Sequence, residues 1–492
     1  GDDPDLDVKL QNIRDAYFNT ESLNKKKKLR LDYEKLVSGQ KNLFGESLRS
    51  KQLKTYRPFD NEVSAAFFDP EFMFGIKNFS MVIGNPPYIQ LQSKTSKEKN
   101  ELKSQNYQTY VATGDLYCLF YERGWELLGN DGVLSFITSN KWMRAGYGKA
   151  LRDFFIIKTN PIVLLDLGSN VFEGATVDTS ILIFSKSANS GRTKAIKITG
   201  AGIDKQVQQA NIINFNYSNG WFIGSNEEIS LKEKIERNGK PLKDWDVKIN
   251  RGILTGLNEA FIIDKETRDR LIAEDPKSEE IIKPILRGRD IKKYGYEFAD
   301  LYILTTGYDT DIPNLYPAIY NYLLQFEESA KSRQDQGKHW WNLRACIYYG
   351  EFQKDKILYS EIVREPRFYF DNSRKFYTEA TAFIMTGDNI KYICGLLNST
   401  PGAYFFKNFY AGGGLGENGY RYKKKFLEDL PIPKISNKNK LIIDQIERLV
   451  GQIIKIKSEN KNLKTEELED EVDQLVCKLY DLNEKEKALI LK

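Results

Sequence analysis

Phe79-Ser80-Met81-Val82-Ile83-Gly84-Asn85-Pro86-Pro87-Tyr88 decides how the rest of this chain is read. Its first half is a short apolar run ending in turn residues, the pattern of a buried parallel strand. Its second half is a stiff loop, because consecutive prolines fix φ and remove two backbone donors. Such a loop offers acceptors. The Asn85 carboxamide oxygen and the Pro86 carbonyl together can accept both hydrogens of an exocyclic amine. The amine lone pair is then left to meet an electrophile. Tyr88 adds a flat face on which a base can stack. The plain alternative is a rigid turn without chemistry; a strand directly ahead of the loop is the context that favours chemistry.

Working outward, the chain reads as α/β. Asp115 to Gly129 has a broad apolar face (Leu116, Leu119, Phe120, Leu127, Leu128) and predicts a helix. Asn130-Asp131-Gly132 predicts a turn, and Val133 to Ile137 a strand. A helix over Lys149 to Ile157 and strands over Ile162 to Asp166 and Ser180 to Phe184 follow. This alternation predicts an open parallel sheet that admits an antiparallel edge strand. Upstream, residues 1–56 read as a helical segment, with Lys25 to Lys28 as a solvated charge run. Residues 57–190 form the unit around the loop, and residues 191–228 read as a polar linker region. Residues 229–435 form a mixed α/β, aromatic-rich unit that ends at Pro431-Ile432-Pro433, where two prolines mark an exit from regular structure. Residues 436–492 read as amphipathic helices, with seams at Ile442, Ile446, Leu449, Ile453, Ile456 and at Leu468, Val472, Leu475, Leu479.

Composition narrows the chemistry. The 492 residues include one histidine, His339, and four dispersed cysteines. Triads, histidine metal sites and histidine bases are therefore disfavoured, and no metal site is expected. The cysteine spacing fits a reducing compartment, so a cytoplasmic location is expected. No apolar run approaches the roughly 18 residues of a membrane span. The net charge of +5, from 73 basic and 68 acidic residues, permits nucleic acid without requiring it.

Asn85-Pro86-Pro87-Tyr88 resembles motif IV of the amino-methyltransferases that use S-adenosylmethionine. Phe68-Asp69-Pro70-Glu71-Phe72, Gly114-Asp115-Leu116-Tyr117, Asn140 to Gly148 and Val171 to Thr179 extend the likeness in order. Together they resemble the γ-class adenine-N6 DNA methyltransferase part of type IIG (type IIS) restriction–modification enzymes. The resemblance implies a partial Rossmann-like methyltransferase sheet over 57–190. It implies that Asn85 and Pro86 accept hydrogen bonds from adenine N6, with Pro87 stiffening the loop. Tyr88 and Phe172 would stack on the two faces of a flipped base. Asp115 and Tyr117 would lie beside the cofactor, although Asp115 also reads as a helix N-cap.

The family's glycine-rich cofactor turn is not found in the 84 residues ahead of the loop, where Gly39, Gly45 and Gly75 stand alone. The position of the family's ribose-binding acid is held by Ser80. The sequence therefore reads as a C-terminal fragment, inactive alone, that lacks this turn and the magnesium-dependent nuclease. Its expected partners are double-stranded DNA and the missing N-terminal domains of the same polypeptide.

Gly252 to Phe261 resembles stretches of this family's target-recognition domains and of type I specificity subunits. Leu286 to Tyr294, Lys338 to Arg344 and Tyr420 to Phe426 mix cations with aromatics; Gly412 to Gly414 reads as a flexible lead-in. The DNA-binding candidates are Arg251, Arg287, Arg289, Lys292, Lys338, Arg344, Arg421, Lys423 and Lys424. His339 reads as structural or as a phosphate contact. Other readings stay open. One is a non-catalytic DNA-specificity protein, another a nuclease-free phage-defence adenine methyltransferase, and a third a protein-glutamine methyltransferase.

Overall fold

The computed structural model describes residues 4–38, 52, 55–60, 62–65, 67–168, 171–172, 177–200, 202–216, 220–411, 419–460 and 463–491. The chain divides into two compact units, Gly1–Ile223 and Gly224–Lys492.

The first unit holds a six-stranded sheet. Its strands are β1 (Phe79–Gly84), β2 (Leu128–Ser139), β3 (Asn160–Gly168), β4 (Thr179–Ser185), β5 (Thr193–Lys197) and β6 (Asn211–Ile213), in the spatial order β1-β2-β4-β3-β5-β6. β1 is parallel to β2, and β3 to β5; β4 runs antiparallel to both β2 and β3. The antiparallel strand expected at an edge is therefore interior. Only residues 169–178 join β3 to β4, too short a connection for a parallel return, which needs a crossover of about a dozen residues or more. The Gly148–Lys158 helix carries the chain from β2 over to β3, and β4 fills the gap between them.

Three other expectations change. β1 was read as a buried strand, but it pairs on one side only, and Met81 (62%) and Ile83 (77%) are exposed. Asn130-Asp131-Gly132 lies inside β2 as an irregularity: Asp131 has φ +60°, and the pairing with β1 slips between Phe79 and Met81. The linker expected over 191–228 instead supplies β5 and β6. It also supplies Trp221, buried and stacked 4.4 Å from Phe215. The Tyr117–Leu127 helix packs on β2 through Tyr121 and Gly124, whereas Phe120 is exposed. At Gly124 an added Cβ would lie 2.5 Å from Leu134 Cδ1, so the glycine permits this close approach.

The second unit is built on two four-stranded sheets. One runs Phe368–Asp371, Lys356–Ser360, Ala382–Gly387, Val247–Arg251, all antiparallel. The other runs Tyr377–Thr378, Ile282–Leu286, Leu301–Leu304, Ile262–Asp264. Ile253, Phe261, Ile285, Ile303, Leu358 and Ile384 belong to one core shared by the two. Pro431–Pro433, expected to leave regular structure, forms a short antiparallel pair with Gly239–Pro241; an edge pair tolerates proline.

The Lys440–Glu459 helix packs on Ile390–Asn398, its buried seam being Ile443, Ile446, Leu449, Val450 and Ile453. A Cβ on Gly395 would meet Ile446 Cγ2 at 2.7 Å and Val450 Cγ2 at 2.8 Å. The second tail helix, Glu466–Leu479, lies against both the first and Thr400–Phe405, where Asp473 accepts from the Thr400 amide at 2.8 Å. The tail is thus part of this unit.

A fully buried ion pair, Lys356 to Asp371 at 2.6 Å, crosses two strands of the first sheet. Lys356 also donates to the Phe352 carbonyl, and Asp371 accepts from Ser373. Removing one member strands the other charge. Asp371→Ala is expected to cost about 3–5 kcal/mol, and Lys356→Met with Asp371→Leu to cost much less. Urea unfolding of the three proteins checks this; equal losses in the single and double variants would contradict it.

Candidate active site

The carboxyl ends of β1, β2 and β3 all lie at one end of the sheet, with the start of β4: Gly84 pairs with Phe136, Ser139 with Thr179, and Gly168 with Thr179. Open α/β sheets bind ligands at this end. Asn85 to Tyr88 emerges there directly from β1, and the residues after it are held in place. The Leu91 amide donates to the Gly114 carbonyl, and the Leu116 amide to the Ile89 carbonyl, both at 2.8 Å. This small ladder, with Gln90 bridging Asp115, ties the loop to the start of the Tyr117–Leu127 helix.

Within the loop, Asn85 and Pro87 are exposed and Pro86 is buried. Tyr88 is half-buried, with its ring 6.0 Å from that of Tyr117, edge to face. Its hydroxyl is buried with no hydrogen-bond partner, and burial raises its pKa. Asp115 does not act as an N-cap, since the helix start has no side-chain cap. Its carboxylate instead accepts from the Tyr147 hydroxyl at 2.9 Å, and the Tyr147 and Tyr117 hydroxyls are 2.8 Å apart. Tyr117 is fully buried, with its ring against that of Tyr88. Burial, followed by the neighbouring Tyr147, pushes its pKa well up.

The Asn140–Met143 turn closes the other side. Asn140 donates from Nδ2 to Asp166 Oδ1 at 2.9 Å and from its backbone amide to the Asp178 carbonyl at 3.0 Å. Trp142 is fully buried against Trp221. Burial and then Asp166 raise the Asp178 pKa. Phe172 is exposed at this end, between β3 and β4. Glu173 to Thr176 of the same stretch, and Gly412 to Gly414, lie outside the described residues.

The basic candidates of the second unit divide. Arg251, Arg289, Lys338, Arg344 and Lys423 are exposed. Arg287 is corrected to a structural role: its Nε and Nη2 bind Asp290 at 2.8 and 2.9 Å, closing the turn before Ile291. Lys292 pairs with Glu297 at 3.1 Å. Lys424 donates to the Ile249 carbonyl at 3.0 Å, and Arg421 is half-buried in a short strand pair with Ile362. His339 is exposed and stacked 4.6 Å from Trp341, which suits no acid–base role.

Residues 8–172 match the Eco57I restriction-modification methylase family, and residues 283–432 match the TaqI-like C-terminal specificity domain. The chain thus carries a segment similar to a restriction-modification methylase, followed by one similar to a specificity domain. It is 24% identical over 446 residues to the type II methyltransferase M.BstVI of Geobacillus stearothermophilus, covering 84% of this chain and 75% of that protein. It is 28% identical over 257 residues to M.MjaIV of Methanocaldococcus jannaschii, covering 49% of this chain and 82% of that one. The fold resembles that of the type IIL restriction-modification enzyme MmeI, solved in complex with DNA, with a TM-score of 0.54 and 16% identity. That match covers 84% of this chain and 56% of the MmeI chain.

Two placements in this structure depend on residues far apart in the chain. Tyr147 falls within the Asn140 to Gly148 stretch, but its bond to Asp115 spans 32 residues. Arg333 lies in a stretch with no pattern of its own, yet it is buried and donates to the carbonyls of Thr255, Trp340 and Asn342. It thereby joins two of the stretches that the sequence picked out.

Two outcomes are expected. Tyr147→Phe removes a hydrogen bond to a buried carboxylate and costs about 1.5–3 kcal/mol in chemical denaturation; an unchanged midpoint would contradict it. For Asp178, a pKa raised in the fold means that its stabilising contribution is complete below the unfolded value of 3.8. That contribution is lost as pH rises through the folded pKa. Asp178→Asn should therefore raise the melting temperature at pH 7 relative to the parent, with the gain shrinking towards pH 3.5.

Proposed function

We propose that this chain carries the acceptor half of an adenine-N6 methyltransferase site together with a DNA-reading unit, within a type IIG restriction–modification enzyme. The observation that carries the reading is the Asn85–Tyr88 loop, held by the Ile89–Leu91 to Gly114–Leu116 ladder at the carboxyl end of the parallel strands. Asn85 is free at the surface to accept from an exocyclic amine, with the Pro86 carbonyl as the second acceptor. Holding both amine hydrogens directs the nitrogen lone pair away from the loop. Tyr88 and Phe172 would stack on the two faces of an extruded base. The base must leave its stack first, and the exposed cations of the second unit would hold the duplex by its phosphates meanwhile.

S-adenosylmethionine, the methyl donor that the family implies, does not fit the described residues alone. Among them, no glycine-rich turn follows a strand ahead of β1. The donor's cradle would come from further strands of the same polypeptide, added beside β1, which is an edge strand among the described residues and whose Met81 and Ile83 leave one face bare. Any magnesium would serve a nuclease elsewhere in the whole protein. Among the described residues, no cluster of three His, Cys, Asp or Glu side chains could hold a metal. A non-catalytic DNA-specificity protein is the second reading, favoured by the TaqI-like specificity match over 283–432.

In cells producing this chain together with the donor-binding segment, N6-methyladenine should appear within one short DNA motif. Asn85→Ala should lower it about a hundredfold or more while DNA binding persists. Methylcytosine instead would overturn the adenine assignment, and no methylation would leave the specificity reading. The 492-residue chain alone should transfer no methyl group to DNA, and stoichiometric transfer by it would overturn the half-site reading.

A further inference from the structure

A segment of the second unit fastened by buried polar side chains leads to a bare aliphatic residue. Arg333 donates from Nη1 to the Thr255 carbonyl at 2.6 Å and from Nη2 to the Trp340 carbonyl at 2.7 Å, and it also binds the Asn342 carbonyl. Its guanidinium lies 4.3 Å from the Phe261 ring centroid. Asn342, fully buried, donates to the Thr306 and Thr310 carbonyls at 3.0 and 2.9 Å and accepts from the His339 amide. The Lys338 amide reaches the Tyr308 carbonyl at 2.7 Å, and a Cβ on Gly337 would collide with that carbonyl. Leu343 and Phe352 are fully buried on either side of the segment between them.

What this scaffold presents is unusual. Ile347 is 99% exposed, the barest of the large apolar side chains among the described residues. A lone exposed aliphatic residue needs no explanation. Ile347, however, lies between two buried anchors, Leu343 and Phe352, just past the braced residues 337–342 and near cations. Arg344 is exposed three residues before it and pairs at the surface with Asp335 at 3.1 Å, Arg251 Nε donates to the Ala380 carbonyl at 2.8 Å, and both arginines act electrostatically on the neighbouring Tyr348 hydroxyl. Lys338 and half-exposed Tyr308 flank the same braced network. An apolar point among cations, on a support that does not need ordering, is the chemistry of a side chain pushed between stacked bases. Cations alone would hold phosphates, and an apolar point alone would suit a protein surface.

Resting on the DNA-reading role of this unit, we propose that the 335–348 loop inserts Ile347 as a wedge at a base step of duplex DNA. Arg251, Lys338 and Arg344 bind the flanking phosphates, and Arg333 braces the loop from within. Parting a base step opens the duplex locally, which lowers the cost of extruding a base nearby.

The test uses the 492-residue chain and fluorescence anisotropy with two 30-base-pair duplexes, one fully paired and one carrying a central two-base mismatch. A wedge binds the mismatched duplex more tightly because its unstacking cost is already met, by about tenfold for a few kcal/mol of stacking only partly recovered. Ile347→Ala should weaken binding to the paired duplex, abolish most of that preference and leave the salt dependence unchanged. Arg344→Ala should lower the salt slope by about one and keep the preference. Both residues are exposed, so neither change threatens folding. Paired and mismatched duplexes bound equally by the parent chain, or a preference kept by Ile347→Ala, would overturn the wedge and leave DNA binding standing. No DNA binding by the parent at low salt would overturn the DNA-reading role and the wedge with it. If Ile347→Ala dissolves a self-associated form while DNA binding is unchanged, the tip is a protein contact and the proposal fails.

Discussion

Two backbone hydrogen bonds carry the candidate site: Leu91 amide to Gly114 carbonyl, and Leu116 amide to Ile89 carbonyl. A loop with two prolines is stiff, but stiffness alone does not aim it. The strand before it sets one end and this ladder sets the other, so Asn85 has little freedom left. The same ladder draws Asp115 and Tyr117 against the loop. Tyr88 then meets Tyr117 edge to face, and Tyr147 completes the support by binding Asp115. Loosening the ladder would free the loop from the helix, and the acceptors would lose their common direction.

The second unit follows the same logic with different parts. Lys338 and Arg344 stand on a stretch whose backbone is fastened from inside by buried polar side chains, Arg333 and Asn342. A buried guanidinium is costly unless its donors are met, and here carbonyls meet them. Burial lowers the Arg333 pKa to about 10, with Asp335 opposing, so the group remains cationic at neutral pH. The buried Lys356–Asp371 pair spends charge on joining strands rather than on any ligand. The unit thus separates cations that shape the fold, such as Arg287, from those left at the surface, such as Arg289.

Local sequence determined a good deal. The β1 run, the stiff Asn85–Tyr88 loop, the Tyr117–Leu127 helix and the strands on either side of residues 169–178 all follow from short-range pattern and turn chemistry. The stretches that identify the restriction–modification family were legible for the same reason, since each is contiguous in the chain. Where pattern failed, the deciding partner was distant. An apolar strand reads as buried, and only the folded sheet shows that β1 has a neighbour on one side alone among the described residues. A polar stretch reads as a linker, and only the sheet shows that residues 193–213 complete it.

What the sequence determined by itself is therefore the element types, the stiff acceptor loop and the family. Tertiary structure alone decided the interior antiparallel strand, the burial of Tyr117 against Tyr88, the Tyr147–Asp115 bond and the conversion of Arg287 into a brace. The reason is physical. Period, turn residues and proline stiffness act over a few residues and are written locally. Exposure and hydrogen-bond partners depend on which distant segment arrives alongside, and that is known only once the chain has folded.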